Sequence, residues 1–233
     1  MYLIFPLLFF VFLAPFTPYI DQTLTQYFYD LGEGNVGHFV VHPLYEWVYQ
    51  YGPQFALAVA LISTILFFTS FFFIQRVRAA SLFLLLTFFV GSVLITNIVL
   101  KDNWGRPRPR QVKVYGGDLS YRPFWKPNLL NQGQSEPAKS FPCGHATAGF
   151  YFLSLVFLGR RLKSRFIALS GWTLGLGLGI LFGITRMAQG GHFFSDVLMS
   201  GIVMWYIGFF CDWAIFQSKQ CGWKICYAGN KGS

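Results

Sequence analysis

FIALSGWTLGLGLGILFGITRMAQGGHFFSDVLMSGIVMWYIGFFCDWAIF, residues 166–216, is two apolar runs joined by a short turn. Each run is long enough for a membrane helix, which needs ~20 residues. Their apolar residues continue all round, as expected of helices facing lipid. The first run carries Gly171, Gly175, Gly179 and Gly183 at four-residue spacing. Such a stripe lets a neighbouring helix approach closely. Around the turn sit Arg186, His192 and Asp196. Ionisable residues at a membrane edge are costly, which makes them candidates for function.

Outward from this pair the pattern repeats. Apolar runs cover Tyr2–Ile20, Phe55–Ile74, Ala80–Leu100 and Ala146–Leu162, the last being the shortest. With Phe166–Arg186 and Phe193–Phe216 this predicts an all-α, polytopic membrane protein of six transmembrane helices. Residues 21–54 are then a connection. Composition agrees: 54% of residues are hydrophobic, 12% are charged and the mean hydropathy is +0.46. Soluble domains carry about twice that charged fraction. The N-terminal run lacks a basic flank and a small-residue cleavage site, so it reads as the first span.

The net charge of +9 raises nucleic acid as a partner. No separate basic domain carries that charge, and nucleic acid is set aside in favour of a membrane lipid. The 18 Lys and Arg residues split evenly between the two faces. The short turns with Arg76 and Arg78, and with Arg160, Arg161, Lys163 and Arg165, report topology better than a long loop does. They and the tail are expected in the cytoplasm, with both termini. Cys211, Cys221 and Cys226 fall on that side as reduced thiols, in a spacing that matches no zinc motif.

Alternating spans place three clusters on the opposite face. Lys101 ends the third span, and Arg108-Pro109 follows after six intervening residues. Phe141-Pro-Cys143-Gly144-His145 opens the fourth. Arg186 ends the fifth, and His192 with Asp196 opens the sixth. Three cations suit a phosphoryl group, and Arg offers paired donors to its oxygens. The backbone N–H groups of Cys143, Gly144 and His145 stand where a helix begins and can bind an anion. His192 and Asp196 are one helical turn apart, so the carboxylate can set the imidazole tautomer and make His192 a nucleophile. His145 is then available as acid and base. No cofactor or metal is needed for this chemistry. A cysteine phosphatase would need an arginine where Gly149 stands.

These clusters resemble the signature of the type 2 phosphatidic acid phosphatase superfamily: K-x6-R-P, then P-S-G-H, then S-R-x5-H-x3-D. The resemblance covers residues 101–196. It implies that Lys101, Arg108 and Arg186 bind phosphate, with Cys143 and Gly144 in the cradle. It further implies that His192 is the nucleophile, Asp196 its partner and His145 the acid. Two positions depart from it: Cys143 and Thr185 stand where the family has serine. The resemblance implies one membrane-embedded phosphatase domain over 1–233, with its core at about 97–216. The Gly-Arg-Pro-Arg-Pro stretch, with Gly116-Gly117 and Arg122-Pro-Phe-Trp125 after it, resembles the bacterial lipid A phosphatase branch.

Undecaprenyl diphosphate, phosphatidylglycerophosphate and phosphatidate are alternative substrates. Phosphotransfer and non-enzymatic lipid binding are alternative functions. Arg106 and Arg110 are expected to meet a second anionic group or lipid headgroups. Trp104, Tyr121 and Trp125 are expected at the membrane interface, and His38 and His42 in surface or packing roles. The loops 21–54 and 109–139 are expected to shape the headgroup pocket.

Overall fold

The computed structural model describes residues 4–35, 38–73, 77–129 and 138–217. Cys221, Cys226, Arg76 and the tail lysines lie outside the described residues. The chain is helical, and an isolated bridge pairs Val112 with Leu119. Five helical stretches are long and apolar enough to cross a membrane: Pro6–Leu31, Pro43–Thr69, Arg78–Lys101, Arg165–Ala188 and Phe194–Phe216. A sixth, broken helix lies among them.

The first crossing is α1 (Ile4–Leu13), a 3-10 turn at Ala14–Phe16, and α2 (Thr17–Leu31). The second is α3 (Pro43–Thr69). Residues 21–54 are therefore mostly helix, and the connection shrinks to residues 32–42. The polar run from Asp21 to Gln26 mimics a helix end in a hydropathy reading, but Asp21 is buried with partners. The helix stops at Gly32, where a Cβ would lie 2.4 Å from the Phe39 carbonyl carbon. It restarts at Pro43, a residue suited to a first helical position. The His42 side chain caps it by accepting the Leu44 N–H at 3.1 Å. His38 stacks on Tyr29.

The third crossing is α4 (Arg78–Thr87), continued as a π-helix over Phe88–Lys101. Arg78 fastens the turn before it, donating to the Ser70 carbonyl at 2.9 Å and lying over Phe71. The fourth is broken into α5 (Gly144–Phe150), a 3-10 turn at Tyr151–Leu153, and α6 (Ser154–Arg161). α7 (Arg165–Ala188) and α8 (Phe194–Asp212) complete the set.

The fourth crossing corrects the expectation of lipid on all sides. Ala146 to Leu158 is nearly all buried, at the centre of the bundle. The glycine stripe of α7 explains this. A Cβ at Gly171 would lie 2.5 Å from Val156 N, and one at Gly179 would lie 2.4 Å from the Phe150 ring. At Gly149, on the other helix, a Cβ would lie 2.5 Å from Gly179 N. Gly177 faces open space. Gly179→Val should lower stability in detergent by about 1–3 kcal/mol, the usual cost of overpacking. Gly177→Val is the control, and equal thermal midpoints would contradict this packing.

Candidate active site

The five crossings and the fourth helix bring the three clusters to one end of the bundle. Lys101 closes the π-helix, and a Cβ at Gly144 would sit 3.6 Å from its Nζ. Lys101 acts electrostatically on Arg108, Arg186 and Cys143, and His145 on Arg186 and His192. The predicted residues thus share one site.

Backbone bonds hold the loop that carries Arg108. The Arg108 N–H donates to Gln111 Oε1 at 2.9 Å, and the Arg110 N–H to the Gly190 carbonyl at 3.2 Å. Arg186 is set by its neighbours on both faces. Its Nη1 donates to Gln189 Oε1 at 2.6 Å, and Gln189 donates to Glu46 at 2.9 Å. Its guanidinium lies 4.5 Å from the centre of the Tyr49 ring. A Cβ at Gly191 would come within 2.3 Å of Nη2. Its Nε is buried and has no hydrogen-bond partner among the described residues. A buried, unmatched donor is costly and suits an incoming anion.

His145 depends on a proline. Pro53 lies inside α3 and has no N–H for the carbonyl four residues back. That carbonyl belongs to Tyr49, and it pairs with His145 Nε2 at 3.2 Å. The Tyr49 ring also stacks on His145, with centroids 4.7 Å apart.

His192 is 2% exposed, and its Nδ1 lies 2.5 Å from the Ser140 carbonyl. A carbonyl only accepts, so Nδ1 carries the hydrogen, and in the neutral ring Nε2 holds the lone pair. Asp196 Oδ2 is 3.8 Å from Nδ1. The Ser140 carbonyl, rather than the carboxylate, is the direct partner of this imidazole. Asp196 accepts from Ser140 Oγ at 2.6 Å, from the Phe193 N–H at 2.8 Å, and from Arg106. At the third helical position it also caps α8.

Cys143 is fully buried at the start of α5, and its N–H faces the Asp196 carbonyl at 3.4 Å. That N–H was expected in the anion cradle but is taken up by the carbonyl, which reduces the cradle to the N–H groups of Gly144 and His145 at the helix start. Burial pushes the Cys143 thiol up, but His192, the Ala146 N–H and Arg186 together outweigh it and leave the thiol below its usual value. Burial pushes His192 down, and the Cys143 sulfur with Asp196 outweighs that, leaving it raised.

Arg106 overturns its expected role. It is fully buried, paired with both Asp21 and Asp196, and reaches no headgroup. Burial works against its charge, but the two carboxylates more than compensate and raise it. Tyr121 is likewise no simple interface residue, since its hydroxyl donates to Asp21 at 2.9 Å. Trp104 donates to the Phe124 carbonyl at 2.6 Å and stacks on Phe141. The structure leaves Arg110 and Trp125 exposed.

Residues 82–220 match the pattern of the PAP2 superfamily. The chain belongs to that superfamily. This PAP2 protein is a multi-pass membrane phosphatase. It is 35% identical over 164 residues to the lipid A 4'-phosphatase of Francisella tularensis subsp. novicida (strain U112), covering 68% of this chain and 70% of that one. It is 34% identical over 135 residues to the lipid A 4'-phosphatase of Rhizobium leguminosarum, covering 58% of this chain and 54% of the other. A lipid A 1-phosphatase of Rhizobium johnstonii (strain DSM 114642 / LMG 32736 / 3841) is 36% identical over 110 residues, 47% of this chain and 37% of that one. No solved structure matches the PAP2 chain significantly.

Several site neighbours in this PAP2 protein carry no signal in sequence alone. Ser140 acts on His192 through its carbonyl, which any residue could supply, and on Asp196 through its hydroxyl. Tyr49 does so too, although Pro53 is a local marker that the carbonyl is spare. Asp21, Gln189 and Glu46 reach the site only through the fold.

Proposed function

We propose that this protein removes a phosphate from lipid A through a phosphohistidine. The phosphoryl group binds among Lys101, Arg108, Arg186 and the first turn of α5. His192 Nε2 attacks phosphorus while His145 protonates the leaving oxygen. Water then attacks the phosphohistidine, with His145 as base. The observation that carries this reading is the buried His192, whose Nδ1–H to the Ser140 carbonyl leaves the Nε2 lone pair of the neutral ring for attack. The names of its relatives support lipid A as substrate, with the 4'-phosphate favoured by their greater coverage. The apolar helical crossings support an inner membrane location, and the basic turns Arg160–Arg165 and Arg78, at the end away from the site, support a cytoplasmic side there. The site would face the periplasm and the termini the cytoplasm.

The test is phosphate release by the purified protein in EDTA. The panel is lipid A with only a 4'- or only a 1-phosphate, undecaprenyl diphosphate, phosphatidylglycerophosphate and phosphatidate. Release from 4'-phosphorylated lipid A is expected, and faster release from a glycerophospholipid would reassign the substrate. A phosphorylated acceptor lipid in place of free phosphate would indicate phosphotransfer.

Two further results are expected. Asp196→Asn should lower turnover roughly 10²–10⁴-fold, the range for a mis-set acid–base group, and near-normal turnover would remove Asp196 from the site. The acid limb of kcat/KM should lie above the ordinary histidine value of about 6.5, because His192 is raised and must be neutral to attack. Turnover is then lost as pH falls through that point. A limb well below it would count against His192 as nucleophile.

A further inference from the structure

Two carboxylates share one guanidinium inside this protein. Arg106 lies between Asp21 on α2 and Asp196 on α8, and all three side chains are fully buried. Asp21 Oδ1 accepts the Ser195 N–H at 2.8 Å. Its Oδ2 accepts from Arg106 Nη2 at 2.8 Å, Ser195 Oγ at 2.6 Å and Tyr121 Oη at 2.9 Å. Asp196 accepts from Arg106, Ser140 Oγ and the Phe193 N–H. Arginine and backbone N–H groups can only donate, and each carboxylate accepts from both kinds, which favours the ionised form. One cation against two anions leaves the cluster with an excess of one negative charge.

A buried excess charge is costly unless something nearby answers it. His192 is placed to do so, with Nδ1 3.8 Å from Asp196 Oδ2. When Nε2 forms its bond to phosphorus, the P–O bond to the lipid breaks and the leaving oxygen takes a proton. His192 keeps its Nδ1 hydrogen, so the ring becomes cationic. The ring and the cluster together are then neutral.

We propose that Asp21 is a positioning residue whose carboxylate, acting through Arg106 and Asp196, makes the surroundings of His192 net negative and favours the cationic ring that forms on phosphoryl transfer. This rests on the phosphohistidine reading above. Other charges also face His192: Cys143 at the N-cap of α5 and His145 on α5, with Arg186 of α7 acting on both of these. Lys101 from the π-helix and Arg108 from the loop stand beside these. The cations among them answer the phosphate, whereas the Asp21 cluster lies behind the ring. An acidic residue inside a membrane crossing is rare enough to call for such a role.

The test compares full-length wild type with Asp21→Asn and Tyr121→Phe, using the best lipid of the panel above. Readouts are kcat and KM across the acid range, trapped phosphoenzyme, and thermal midpoint. Asp21→Asn should lower kcat about 10–100-fold with KM within about threefold, and reduce trapped phosphoenzyme. Its acid limb should move down by about half to one pH unit, since a negative charge has left. Tyr121→Phe keeps the charge and removes one donor to it, so its limb should move slightly upward. A folded Asp21→Asn whose limb does not move makes Asp21 merely structural and overturns the proposal. If that variant does not fold, a Tyr121→Phe limb that stays or moves down overturns it. A wild type inert on every lipid removes the phosphohistidine reading and this proposal with it. An active wild type with an unmoved limb removes this proposal alone.

Discussion

His192→Gln is expected to abolish phosphate release, by at least about 10⁴-fold, the scale seen when a nucleophile is deleted. Glutamine can still donate a hydrogen bond to the Ser140 carbonyl, so the fold around residue 192 has little reason to change. What it lacks is the imidazole Nε2 lone pair. Lys101, Arg108 and Arg186 remain, so binding of a phosphorylated lipid should persist while turnover and trapped phosphoenzyme disappear. That separation distinguishes a nucleophile from a binding residue. A protein that only binds lipid would show the same behaviour before and after the substitution. Residual turnover above a few per cent would assign attack to water or to another group.

Arg106→Ala is expected to be the most destabilising single substitution among the residues discussed. It leaves Asp21 and Asp196 buried without their shared partner, and breaking a buried ion pair from one side costs about 3–5 kcal/mol. Asp196 also caps α8 and borders His192, so activity should fall with stability. Arg110→Ala is the contrast. That residue is exposed and should change stability by no more than about 0.5 kcal/mol. Thermal unfolding in detergent compares the two, and an Arg106→Ala protein as stable as Arg110→Ala would contradict the buried cluster.

The pair shows how far a sequence can be read. Arg106, Arg108 and Arg110 occur in one Arg-Pro-Arg-Pro-Arg run, and nothing local separates them. Spacing from Lys101 picks out Arg108 as the family residue. The burial of Arg106 depends on Asp21, 85 residues earlier in the chain, and on Asp196, 90 residues later. The same limit applies to the helix ends. A hydropathy reading stops the first span where polar residues begin, but a carboxylate matched by four donors can sit within a helix. It also treats every span alike, so it misses that the fourth packs on the glycine face of α7 and is buried.

By itself the sequence determined the six crossings, the membrane setting and the end of the bundle where Lys101, Arg108, His145, Arg186, His192 and Asp196 meet. Those come from apolar length, chain alternation and short spacings, all local quantities. Only the tertiary structure decided the partners: Ser140 on His192, Tyr49 on His145, Gln189 on Arg186, and Asp21 with Arg106 behind Asp196. The physical reason is that a buried polar atom must find its partner in three dimensions. Two of these partners are backbone carbonyls, which every residue type carries.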